Sequence, residues 1–268
     1  AHIEFNAPRD LIGFSRYERY LSTVYSEQWP YGHPLTARTG EGDAQVPVLA
    51  GFNEGEIRSL RFLLPSVPGS DAYETAIRST HGELADRFLE TYPADNPEAS
   101  MLATTRDAMY GWTAERLVAS QTAASQPSYF YFFDHTYPAA DKLGLRAFHA
   151  MEIPYVFGTL FDIPEPWPQA PRKQSERELM NAMMHYWASF AREGAPSAEG
   201  APDWPAYGKD ATGMVFSEVP KAWPGLARAR FELHEAIVCR RRAHGSLQWN
   251  WNVGIISPPL PPEVPACN

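Results

Sequence analysis

Proton-transfer chemistry is concentrated in two short segments of this sequence. The first is Gly51-Phe-Asn-Glu-Gly-Glu56, directly after the apolar run Val46-Pro-Val-Leu-Ala50. That run reads as a short buried strand ended by Gly51, and α/β sheets place ligands and catalysis just past the carboxyl ends of such strands. The second is His149, flanked by Phe148 and an apolar run and placed after the aromatic segment Ser128-Tyr-Phe-Tyr-Phe-Phe133. If the two strands are sheet neighbours, a carboxylate at 56 or 54 and the imidazole at 149 can meet. A carboxylate followed by a histidine is the order in which an orienting acid and a general base serve a nucleophile.

The other titratable residues point elsewhere. Eight histidines are present, yet none has the HExxH spacing of a zinc site, and with Cys239 and Cys267 alone there is no CxxC; no metal is therefore expected. Neither GxxxxGK(S/T) nor GxGxxG occurs, so no phosphate-cradling loop is predicted. His185 and His234 fall on predicted helices and read as structural groups. The net charge of −9, with no dense basic face, excludes nucleic acid as an expected partner.

Positioning the two segments requires a core, and 8 Trp, 13 Tyr and 14 Phe in 268 residues supply one. Residues 1–44 show no sustained period beyond a possible helix at 16–25, and are read as an irregular N-terminal segment. Helices are expected from Ser70, from a Thr80/Glu83 capping box, and from Asn96-Pro97, the last burying Met101, Met109 and Trp112. The segment 128–133 is aromatic on both faces and predicts a central strand in a covered sheet. Four prolines in residues 162–171 forbid regular structure there. A long helix should run from a Ser175/Glu178 capping box to Gly194, with Met180, Met183, Met184, Trp187 and Phe190 as its buried stripe. Met214–Phe216 reads as an edge strand and Leu226–Ala243 as the last helix. Arg240, Arg241 and Arg242 are read as relieving the dipole at that helix's end. Strands alternating with helices give an α/β fold.

No run approaches the roughly 20 apolar residues of a membrane helix, so no membrane contact is expected. The first residues show no basic region followed by an apolar one, hence no visible signal peptide, and this favours a cytoplasmic setting. The two cysteines are accordingly expected as free thiols in a reducing compartment, with a bridge closing the C-terminal tail as the alternative. The tail 257–268, with five prolines, should be poorly ordered unless docked.

Three ordered motifs carry a family resemblance. QVPVLAGFNEGE resembles the strand and acid turn of type-B carboxylesterases, the cholinesterase-like α/β-hydrolases, whose pattern is Gly-x-Asn-x-Asp-Glu-Gly. FHAMEIPYVFG is similar to the family's His-x-x-Glu-(Ile/Leu)-x-(Tyr/Phe)-Val-Phe-Gly segment, and MMHYWASFAREGAPS…PDWPAY to its late helix, Gly-x-Pro turn and Trp-Pro-x-Tyr segment. The resemblance implies a partial α/β-hydrolase fold over residues 45–256, the C-terminal half of the central sheet with its flanking helices. It implies Glu56 as catalytic acid, with Glu54 as the alternative, and His149 as base. Glu152 would be a structural neighbour of the histidine. Gly55 stands where Asp is usual and Ile57 where Gly is usual, which predicts a differently shaped acid loop.

The family's Gly-x-Ser-x-Gly and His-Gly-Gly loop do not occur; Gly13-Phe-Ser-Arg-Tyr17 lacks the second Gly, so Ser15 is rejected as nucleophile. The implied function is hydrolysis of a small-molecule carboxylic ester by a Ser-His-Glu mechanism without cofactor. This chain would supply acid and base, and would be inactive without the serine. A complementary N-terminal segment, or self-association, would cover its open sheet edge. The alternatives are a non-catalytic cholinesterase-like binding domain and an inactive fragment.

Overall fold

Five consecutive aromatic residues fill Ser128–Phe133, and this segment (β2) is the strand around which the molecule packs. The computed structural model describes residues 46–63, 66–245 and 257–267. The N-terminal segment read as irregular, its helix at 16–25 and Ser15 lie outside these residues. Strand β1 (Val48–Asn53) pairs with β2 in parallel, Val48 opposite Ser128 and Asn53 opposite Phe133. Strand β3 (Gly213–Phe216) continues the parallel sheet, and β4 (Lys221–Trp223) closes it antiparallel. The order is β1-β2-β3-β4, so among the described residues β1 has no strand on its outer side.

Both faces of β2 are covered. Tyr129 and Phe133 pack with Tyr186, Trp204, Met214 and Phe216 on one face. Phe130 and Phe132 pack with Phe52, Trp112, Val215 and Phe231 on the other. Fully buried Phe side chains such as Phe130 and Phe133 each contribute about 2–3 kcal/mol of transfer free energy.

Two strand expectations need correction. Gly51 does not end β1 but sits inside it, because residues 51–53 go on pairing with β2, and a Cβ at 51 would lie 2.2 Å from the Tyr131 carbonyl oxygen. Met214–Phe216 is not an edge: all of β3 is buried, and the short exposed β4 forms that edge. A strand of four apolar residues looks the same from sequence in either place.

The helices are α1 (Ser70–His81), α2 (Ala85–Thr91), α3 (Pro97–Arg106), α4 (Trp112–Ala123), α5 (Pro138–Lys142), α6 (Ile153–Val156), α7 (Gln174–Glu193) and α8 (Arg228–Ala243). Asn96 caps α3 as expected, accepting from the Ala99 N–H at 3.1 Å with Pro97 at the first position. A π-helical turn, Asp107–Gly111, joins α3 to α4. Neither predicted capping box forms. Thr80 lies within α1 and donates to the Ala76 carbonyl, while Glu83 is taken by Arg240. At α7, Glu178 instead accepts from Gln174. The inner stripe of α7 is Glu176, Leu179, Met183, Tyr186 and Ser189, with Met184 exposed. The predicted stripe is thus rotated by part of a turn, because the indole and thioether side chains flank the contact rather than fill it.

The C-terminal segment is docked. Cys239 of α8 and Cys267 form a disulfide with Cα atoms 5.7 Å apart, so the free-thiol expectation is overturned. Two thiols 28 residues apart meet only because the tail folds back on the helix, which spacing alone cannot show. The arginine run takes part in this docking rather than merely offsetting the helix dipole. Arg240 pairs with Glu83, and Arg241 donates to the Pro258 carbonyl at 2.8 Å. The Leu260 N–H donates to the Thr80 carbonyl at 2.6 Å.

Candidate active site

The parallel register carries both predicted segments to the same end of the sheet. Past β1, the Glu54 N–H donates to the Phe133 carbonyl at the end of β2, and the Gly55 N–H donates to the Ala147 carbonyl at 2.7 Å. Gly55 thereby bridges to Phe148 like one further strand residue. Only glycine permits this approach, since a Cβ at 55 would lie 2.3 Å from the Leu145 carbonyl oxygen. The departure from the expected Asp is therefore the contact between acid turn and histidine loop.

Glu56 and His149, 93 residues apart, meet: His149 Nδ1 lies 2.6 Å from Glu56 Oε2. Glu56 is 5% exposed, and its other oxygen accepts from the Asn53 N–H at 3.2 Å. The imidazole side chain is 58% exposed. A carboxylate only accepts, so Nδ1 carries the proton and Nε2 keeps its lone pair. The bond to Glu56, reinforced by the charges of Glu56 and Glu152, raises the His149 pKa above the ordinary 6.5 against partial burial. The ring of Tyr110, on the π-helical turn, stands 5.6 Å from the imidazole. A π-turn inside a helix is a frequent mark of a functional site.

The alternative acid is turned away from the imidazole. Glu54 lies 3.7 Å from Arg58, 3.4 Å from Arg106 and 3.1 Å from Arg146. Arg106 in turn donates to Asp107 at 2.7 Å, and Asp107 also holds Arg230 at 3.3 Å and the Tyr92 hydroxyl at 3.0 Å. Burial would push the Asp107 carboxyl up, but the two guanidinium groups pull it below the ordinary carboxylate range. His234 Nε2 joins this network 2.8 Å from the Tyr92 hydroxyl.

His234 is thus structural, as its place on a helix suggested, and burial pushes its pKa down to about 4 from 6.5. Below pH 6.5 the unfolded chain takes up a proton that the folded one refuses until about pH 4. The stability that the neutral, buried His234 contributes should therefore be complete above pH 6.5 and fall by about 3 kcal/mol as the pH drops towards 4. Urea unfolding against pH, with His234→Gln losing most of that slope, checks this.

The two loops hold non-glycine residues in the left-handed region: Ile57 at φ 70°, Arg146 at 52° and Ala150 at 69°. Such positions cluster at functional sites. Ile57 repays its conformation by being buried, whereas Ala150 contributes only a methyl group. Ala150→Gly should raise stability by about 0.5–1 kcal/mol, the left-handed penalty less the entropy of glycine. A higher urea midpoint with unchanged slope is the expected measurement.

Downstream, Glu176 ties the histidine segment to the core, accepting from the Tyr155 hydroxyl at 2.6 Å and lying 2.9 Å from His135 Nε2. Trp167, in the proline-rich loop, packs edge-on against Phe148 at 5.3 Å. The residue that sequence reasoning passed over is Asn53, which contacts both loops; its only signal was its place inside the acid motif.

A parallel sheet that delivers a carboxylate and a histidine at its carboxyl end defines the class: a partial α/β-hydrolase fold. The comparisons narrow it. The model of the carboxylesterase family matches residues 32–230. A rat acylcarnitine hydrolase is 33% identical over 246 residues, 83% of this chain and 42% of its own length. A human cocaine esterase is 31% identical over 75% of this chain and 38% of its own. A Geobacillus stearothermophilus carboxylesterase, at 25% identity, superposes with a TM-score of 0.56 over 69% of this chain and 39% of its own. The chain belongs to the carboxylesterase family. It spans about two fifths of the length of these relatives.

Proposed function

We propose that this chain supplies the acid and the base of a Ser-His-Glu carboxylesterase, and that the nucleophilic serine and its oxyanion donors come from outside these 268 residues. The observation that carries this reading is the 2.6 Å contact between a buried carboxylate and a largely exposed imidazole. His149 Nε2 would take the serine proton as the hydroxyl attacks the ester carbonyl, then return it to the departing alkoxide. Glu56 stays ionised throughout, fixing the tautomer and stabilising the imidazolium. Deacylation repeats the transfer with water as the attacking group.

The substrate class is a carboxylic ester. Relatives named for an acylcarnitine and for cocaine are in keeping with small ester substrates. The outer side of β1 is where a complementary segment of the hydrolase, or a second copy of the chain, would pair. The division into an N-terminal segment 1–44, residues 45–256 as the C-terminal part of a carboxylesterase-like domain, and a proline-rich tail 257–268 belongs to the same proposal. The test is a p-nitrophenyl ester assay on a longer hydrolase that carries a Gly-x-Ser-x-Gly ahead of this chain, with and without His149→Ala. Equal activity in the two rejects His149 as the base.

A further inference from the structure

One amide group joins the two loops of the site. Asn53 is 1% exposed, and its Nδ2 makes two hydrogen bonds to the histidine segment. One runs to the Phe148 carbonyl at 3.0 Å, the other to Glu152 Oε2 at 2.5 Å. An amide nitrogen has two hydrogens, so both are used. Rotating the amide would set its oxygen against a carbonyl and a carboxylate at those distances, so the neighbours dictate the orientation. The Asn53 N–H meanwhile donates to Glu56. A single residue therefore touches the acid itself, the peptide next to the base, and the second carboxylate that, among the described residues, acts on the imidazole.

We propose that Asn53 is the positioning residue of the acid–base pair, its side-chain amide fixing the backbone beside His149 to the turn that carries Glu56. This inference rests on the Ser-His-Glu reading and extends it. The chemical need is specific. The contact between Glu56 and His149 joins a buried carboxylate to a largely exposed side chain on a loop whose Ala150 is in a left-handed conformation. Besides the acid–base contact itself, Gly55, Asn53 and the Arg146–Glu54 ion pair hold that loop against the acid turn, and Asn53 is the buried side chain among them that bonds the backbone beside His149. Glu152 becomes the anchor of the amide. Burial raises its pKa and the Asn53 bond opposes that rise, so the pair keeps a carboxylate beside the site without leaving it unpartnered.

The titration of His149 in this chain reads the positioning directly. Diethyl pyrocarbonate acylates only the neutral imidazole, and peptide mass spectrometry follows each histidine separately. The charged groups facing His149 are Glu56 from the acid turn and Glu152 from its own segment, with the Tyr110 ring packed alongside. In the unaltered chain the His149 midpoint should lie above 6.5. A midpoint at or below the 6.5 of a free imidazole would mean that the acid–base pair itself is absent, and would reject the catalytic reading.

In Asn53→Leu the His149 midpoint should fall by about half a unit or more towards the free value. A raised midpoint in the parent that persists in the folded variant overturns the positioning role and leaves the pair intact. A loss of melting temperature without movement of the midpoint has the same meaning. Should the leucine variant not fold, Asn53→Ser, which removes the amide at a smaller steric cost, carries the same readout. Failure of both to fold while His149→Ala folds would assign Asn53 to the fold alone, and would overturn the proposal.

Discussion

Replacing His149 with Ala in the longer, serine-bearing hydrolase is expected to lower kcat for a p-nitrophenyl ester by about 10⁴- to 10⁶-fold, the range over which triad members act as a unit. The expectation follows from the geometry at the imidazole. Nδ1 is committed to Glu56 at 2.6 Å, so Nε2 is left as the acceptor for a hydroxyl proton. Without it the serine must lose its proton to water. Glu56→Gln should cost about 10⁴-fold, because an amide can donate to Nδ1 and so favours the wrong tautomer. KM should change far less than kcat in both, since neither group holds the substrate in its ground state. The pH profile supplies a further check. The bond to Glu56 raises the pKa of His149, so the free enzyme should lose activity on the acid side from a midpoint above 6.5. Glu54→Gln separates the two acids, and should leave kcat within a few-fold because its carboxylate is spent on arginines.

The second large effect concerns stability. Asp107→Ala should destabilise the chain by about 3–5 kcal/mol, the cost of leaving a buried charge without its partner. Asp107 is completely buried, and its carboxylate serves the side chains of Arg106, Arg230 and Tyr92. Removing it strands the Arg106 guanidinium, which is 8% exposed, with Glu54 at 3.4 Å as its remaining counter-charge. Asp107→Asn keeps the shape and one acceptor, and should lose roughly half as much. Because single domains hold only about 5–15 kcal/mol in total, the alanine variant should be largely unfolded at moderate urea. A loss below about 1 kcal/mol by urea unfolding at pH 7 would show that the network does not stabilise the fold. The disturbance should also reach the acid turn, because Arg106 donates to the Glu54 carbonyl as well.

Local signals in the sequence were read correctly where a short stretch decides its own conformation. Ser128–Phe133 is a strand with the bounds its unbroken aromatic run suggests, and Asn96-Pro97 starts a helix through a bond to the Ala99 N–H. Gly194 ends the long helix in a left-handed conformation at φ 74°. The failures lie where a distant partner competes with a local one. The Thr80/Glu83 box lost Glu83 to Arg240, 157 residues away. The arginine run is read locally as a helix end, yet two of its members hold Glu83 and the tail. The cysteines allowed a bridge closing the tail only as the alternative to free thiols, since closure depends on a proline-rich segment returning to α8.

The sequence on its own determined the chemical inventory of this protein: a carboxylate after one strand and an imidazole after the next, in the order and company of a carboxylesterase. It did so because side-chain types and short-range periodicity are written residue by residue. The motif already put Glu56 ahead of Glu54; what the tertiary structure adds is that Glu56 lies 2.6 Å from His149 while Glu54 faces three arginines. Only the tertiary structure brought Asn53 across to Phe148 and Glu152, and Cys239 to Cys267. Those contacts depend on the register of parallel strands and on packing between segments far apart in the chain, and a one-residue slip would abolish them without changing any local pattern.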